Sequence, residues 1–175
     1  MLLFESDNEY RKICLWKDEI PFDYEGYNFL RLCVEYGDVN WHIGTICIEA
    51  KLHPRHVSNY AMICMRYRNN QRNKTDIIIN YGCEDDFFIS QVLLLSKTVR
   101  IGLNREYLNA IDEFFKEYPL GMLSSGTIEI ISGGYDEVGS SNMAFKKVME
   151  ILVFVFCHID ELSDNELQKE LLKLI

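Results

Sequence analysis

The chain reads as an α+β domain: a mostly antiparallel twisted sheet of about six to eight strands with two to three helices packed on it. Three observations predict this. Short runs rich in Val, Ile, Tyr and Phe, such as 30–36, 43–48, 76–81 and 98–103, are bounded by Gly, Asn and Asp turn signals, and nothing in the spacing of 76–103 suggests parallel crossovers. Two segments, 104–118 and 163–175, carry apolar residues at helical spacing behind good N-cap residues. The length of 175 residues and a hydrophobic content of 48% suit one core, so 1–175 is read as a single domain with 160–175 as a C-terminal helix at its periphery.

Residues 1–26 combine Leu2, Leu3 and Phe4 with Tyr10, Ile13, Leu15 and Trp16, which predicts one or two strands before the turn signals Pro21 and Gly26. In Tyr27 to Leu52, side chains alternate about a Gly37–Asn40 link, and the reading is a central hairpin. Val57, Tyr60, Ala61, Cys64 and Tyr67 recur at helical spacing behind Pro54, which predicts an amphipathic helix. A meander follows: 76–81 stopped by Gly82, then 87–95, then 98–103. Asn104 caps a helix running to about Tyr118, Thr127 to Ile131 is a brief strand, and Ser132-Gly133-Gly134 is a flexible break. The run Phe145 to Ile159 cannot be assigned by periodicity, and its Val, Ile and Phe content favours a central strand. Ser163 with Glu166 forms a capping box before Leu167, Leu171, Leu172 and Ile175.

The six cysteines are never arranged as CxxC and sit mostly in apolar runs, so reduced, buried thiols are expected. Glu5 and Asp7 follow the apolar opening, unlike a secretory signal, and the run 151–157 is too short for a membrane span. A soluble, cytoplasmic protein is therefore expected. The net charge is −9, but Lys51 to Thr75 holds six bases and no acid, leaving 12 bases against 27 acids, or −15, for the remainder. Such a surface repels nucleic acid and attracts basic proteins.

No motif carries obvious catalysis. His53 and His56, near Cys64 or Glu49, superficially match metal-ligand spacing, but Pro54 lies between them and neither HExxH nor CxxC is present, so no metal is expected. There is no GxSxG, and Cys157 and His158 would point apart on a strand. Ser132 to Ser140 is glycine-rich but lacks the P-loop lysine and GxGxxG spacing and includes two acids, so it reads as a mobile surface loop and no cofactor is expected. Tyr60 and Tyr67 beside the basic segment could stack on RNA, yet their helical stripe should face the core and the net charge has the wrong sign.

The pattern LRLCVEYGDVNWHIGTICIEAKLHPRHVSNYAMICM, followed by TVRIGL, resembles small bacterial immunity proteins over about residues 27–103. The resemblance implies a non-enzymatic protein that neutralises a contact-dependent or polymorphic toxin, often a nuclease, through a charged surface. The residues expected to do so are the acids Glu84, Asp85, Asp86, Asp136 and Glu137, with Trp16 and Tyr135 as aromatic anchors. The competing expectation is a viral or bacterial host-interaction protein that binds a regulator through an apolar helical face.

Overall fold

The computed structural model describes residues 1–6, 11–24, 26, 28–35, 37, 39–52, 59–70, 74–93, 97–118, 121 and 123–175, the side chains of 83–85 excepted. The elements are β1 (Leu2–Glu5), β2 (Lys12–Lys17), β3 (Asn28–Val34), β4 (Gly44–Lys51), β5 (Tyr60–Arg68), β6 (Thr75–Ile89), β7 (Thr98–Leu103), α1 (Arg105–Glu117), β8 (Gly126–Tyr135), α2 (Asn142–His158) and α3 (Asp164–Leu174). The strands form one curled sheet in the order β1-β2-β4-β5-β8-β7-β6-β3. Every pairing between these strands is antiparallel except that of β6 with β8 over Thr75–Ile79, and an isolated parallel bridge joins Tyr60 to Ser140.

The two faces of the central strands are buried in different ways. In β4 and β5, Ile46, Ile48, Ala50, Ala61, Ile63 and Met65 face the side on which α2 packs and are fully buried. The alternate residues Cys47, Tyr60, Met62 and Cys64, with Cys14 and Trp16 of β2, face the other way and are covered by Phe88, Val92, Leu93 and Val99. A strand apolar on both faces loses its period of two. This is why Tyr60–Arg68, expected as a helix, is a strand; the predicted helix start at 53–58 lies outside the described residues.

The same burial on all sides explains the opposite error at Phe145 to Ile159, which is helix α2 and not a strand. Ser141 caps it by accepting from the Ala144 N–H at 3.3 Å. Sheet, α1 and α3 all pack against it, so nearly its whole circumference is apolar. Tyr107 of α1 stacks on Phe145 with ring centroids 4.3 Å apart. Asn104 caps α1 as expected, accepting from the Tyr107 N–H at 3.1 Å, and the Ser163–Glu166 capping box opens α3. α3 docks by burying Leu167 and Leu171, and the Ile175 carbonyl accepts from Arg11 at 2.6 Å.

The expected central hairpin does not form. β4 pairs with β2 and β5, whereas β3 pairs with β6 at the far end of the sheet. Between them the chain leaves the sheet: Trp41 stacks on Phe156 at 5.3 Å, and the His42 N–H donates to the Phe156 carbonyl at 2.8 Å. The cysteine expectation is also corrected. Register places Cys47 directly opposite Cys64, and the two form a disulfide that is fully buried. Among the described residues no helix is long and apolar enough to cross a membrane.

Phe145→Ala is predicted to cost about 3–5 kcal/mol in urea unfolding, whereas Met143→Ala, two residues earlier and 78% exposed, shifts stability by no more than about 0.5 kcal/mol. Equal effects would contradict the packing of α2.

Candidate protein-binding surface

Two acidic stretches remote in sequence meet across one strand. β6 does not stop at Gly82, as its sequence suggested; it passes through it with φ of 137°, a conformation glycine tolerates and other residues rarely do. The register with β7 then slips: Cys83 opposes Gly102 and Phe87 opposes Arg100, so that Glu84-Asp85-Asp86 bulges against Ile101 alone. On the other edge of β7, Arg100 opposes Tyr135 and Ile101 opposes Gly134. Glu84–Asp86 and Tyr135–Glu137 therefore flank the same short piece of β7, two strand spacings or roughly 10 Å apart.

That approach needs Gly133. A Cβ there would lie 2.5 Å from Leu103 and 2.8 Å from the Met62 carbonyl, so β8 fits between its neighbours only without a side chain. Ser132-Gly133-Gly134, expected as a flexible break, is accordingly buried strand. The following residues form a built turn where a mobile loop was expected. Asp136 accepts from the ammonium of Lys97 and from the Val138 N–H, and its own N–H donates to Ser140 Oγ at 2.9 Å.

The surface made in this way differs from the expected one in its anchors. Trp16 is 3% exposed and packs edge-on to Phe88 in the second core, and Tyr135 is 9% exposed against Tyr107 in the core on the helix side, so neither is open to a partner. Asp136 is buried and bound to Lys97, while Asp86 and Glu137 are exposed. The side chains of Glu84 and Asp85 lie outside the described residues. The exposed apolar groups are instead Phe87, Ile89 and Val138. Arg100 lies 5.1 Å above the Phe87 ring while its Nε donates to Glu137. The result is an apolar centre with a charged rim, the composition expected of a contact surface. Alternation in TVRIGL hinted at Arg100, which points opposite to buried Val99 and Ile101.

The layer beneath this surface is fastened by a buried carboxylate. Glu49 of β4 is fully buried; it accepts from the Tyr60 hydroxyl at 2.9 Å and from the Gln91 N–H at 3.0 Å. Ser90 Oγ in turn accepts from the N–H groups of Val92 and Leu93 at 3.2 and 2.9 Å. Burial raises the Glu49 pKa, against the pull of hydrogen bonds from Ser90, Gln91 and Tyr60. The neighbouring Cys14 thiol is pushed up to about 12, first by burial and then by the Glu49 charge, so it stays protonated and is a poor nucleophile.

Other candidate chemistry separates in space. His42 lies between Asp160, 2.7 Å from Nδ1, and Asp18, 3.7 Å from Nε2; Lys17 is 2.9 Å from Asp160. Hydrogen bonds from Lys17 and then His42 hold the Asp160 pKa below the usual carboxylate value. This cluster ties the β3–β4 connection to the end of α2. His53 and His56 lie outside the described residues, and among those described no three His, Cys, Asp or Glu side chains are grouped to hold a metal. Tyr60 and Tyr67 are buried on opposite faces of β5 and offer no stacking surface.

Because the folded pKa of Glu49 lies above its ordinary 4.5, its contribution to stability is complete below that value and declines as pH rises through the folded pKa. Glu49→Gln keeps the shape and removes the titration. Its stability relative to the parent is therefore predicted to be greater at pH 8 than at pH 4.5 in denaturant unfolding, whereas a pH-independent difference would contradict a strained buried carboxylate.

No family model matches the chain, and no curated protein and no solved structure is similar to it.

Proposed function

We propose that this chain is an immunity-type binding protein, one that neutralises a cognate basic toxin in the cytoplasm by covering its working surface and catalyses nothing itself. The observation that carries the reading is the register of β7, which gathers Asp86, Phe87, Ile89, Arg100, Glu137 and Val138 into one exposed patch. Phe87, Ile89 and Val138 supply area that gains from leaving water, and the surrounding acids discriminate in favour of a basic partner. The net charge of −9 adds long-range attraction during encounter. A toxin that acts on an anionic substrate, such as a nuclease, presents a basic groove of the kind this rim complements.

The test is coexpression with the products of the genes flanking its own. One such product is expected to arrest growth alone and to be silenced by the unaltered chain. The triple variant Asp86→Lys/Phe87→Ser/Glu137→Lys should fold normally by circular dichroism yet weaken the complex by about 100-fold or more, the scale of two lost hot-spot contacts. Full rescue by that variant, or no toxic flanking product, would overturn the reading.

A second reading is favoured by a groove of about 500 Å³ between the helices, lined by Phe114, Tyr118, Phe154 and Leu174 with Glu117, Lys146 and Glu150. A host regulator seated there would be held mainly by apolar contact. Raising NaCl from 50 to 500 mM would leave its affinity nearly unchanged while weakening the immunity-type complex several-fold.

A further inference from the structure

The sheet ends in two edge strands of different character. β1 has four residues and lies against α3. β3 has seven, is hydrogen-bonded to β6 along one side from Asn28 to Val34, and has no strand on its other side among the described residues. An edge of this length presents a row of free N–H and C=O groups unless proline or charge blunts it. β3 contains no proline and one cation, Arg31. On its outer face Phe29, Arg31 and Cys33 are exposed, Phe29 to 68%, while Leu30, Leu32 and Val34 are half-buried against the core.

The sequence of this edge selects its own partner. An antiparallel, two-fold pairing of β3 with a second β3 has three registers of interest. Centred on Arg31, it sets two guanidinium groups face to face, which is repulsive. Centred on Leu32, it leaves Arg31 opposite Cys33 and Phe29 opposite Glu35. Centred on Cys33, it places Arg31 opposite Glu35 twice and Leu32 opposite Val34 twice. Only this last register pairs every charge with its opposite and keeps aliphatic residues together on the core face. Arg31 and Glu35 are both exposed, and neither has an ion-pair partner among the described residues. A pairing of this kind is isologous, so each contact is made twice.

We infer that the β3 edge is a homodimer interface, in which two copies of this chain join their sheets edge to edge with Cys33 at the two-fold axis and reciprocal Arg31–Glu35 pairs on either side. In this register the two strands overlap at Leu32 to Val34, and the Arg31–Glu35 pairs close both ends just beyond; the short backbone ladder supplies attraction that any strand could provide, and the two charge pairs fix the register and the identity of the partner. The inference is independent of the patch around Arg100, because neither Arg31 nor Glu35 belongs to it.

Sedimentation equilibrium of the full chain is expected to give twice the 20.6 kDa chain mass at concentrations of tens of micromolar. A short bismaleimide added to the dimer should join the two copies through Cys33, and Cys33→Ser should abolish that product. Arg31→Glu and Glu35→Arg, each alone, oppose like charges across the axis and should weaken dimerisation at least 10-fold, with circular dichroism unchanged. The double variant Arg31→Glu/Glu35→Arg restores complementarity and should recover it. A monomeric parent chain overturns the inference and leaves the edge to another kind of partner. So does a dimer whose strength ignores the single charge reversals, or whose bismaleimide product survives Cys33→Ser, since either would place the contact elsewhere.

Discussion

The structure depends on closing the second face of its central strands. β4 and β5 carry apolar side chains on both sides, and the helices can cover only one. The other is covered by Phe88, Val92, Leu93 and Val99, from the end of β6 to the start of β7, and this cover must be fastened to the strands beneath it. Glu49 solves this locally: its two oxygens take the Tyr60 hydroxyl and the Gln91 N–H, tying the cover to the strand beneath it. A buried carboxylate is costly to desolvate, and here its position inside the sheet specifies where the cover sits. Under that cover lie Cys14, Trp16 and the Cys47–Cys64 disulfide, sealed from solvent as one small second core.

The exposed patch is the outer consequence of the same arrangement. Phe88 points inward to Trp16 and Phe22, so alternation turns Phe87 and Ile89 outward. The bulge before them absorbs the change of register as β6 passes from β8 to β7, and Gly133 lets β8 approach closely enough for Arg100 to reach Glu137. Side-chain exposure here is therefore dictated by packing beneath: the aromatic residues chosen by sequence as contacts, Trp16 and Tyr135, were taken by the core, and their neighbours were left at the surface.

What could be read in the sequence was whatever had one buried side. α1 has a wet face and a dry face, so Leu108, Ile111, Phe114 and Phe115 marked it and Asn104 marked its start. The capping box of α3 and the strand TVRIGL were legible for the same reason. Where burial is complete the pattern vanishes: β5 offered a false helical stripe, and α2 looked like a strand. Strand partners were hidden because pairing is non-local. Gly37 and Asn40 promised a hairpin, but the chain uses that stretch to plug Trp41 against Phe156, and β3 crosses to β6. The acidic runs were visible as charge, but the registers that bring them together, and the pairing of Asp136 with Lys97 and Glu137 with Arg100, were not.

The most direct test of the Glu49 clamp is amide hydrogen exchange under native conditions, comparing the parent chain with Glu49→Leu. The clamp predicts that amides of Gln91, Val92 and Leu93 exchange at least tenfold faster in the variant, while those of Ile151 to Val155 in α2 keep their protection relative to global unfolding. Unaltered exchange at 91–93 would contradict the claim that this one carboxylate holds the second layer in place.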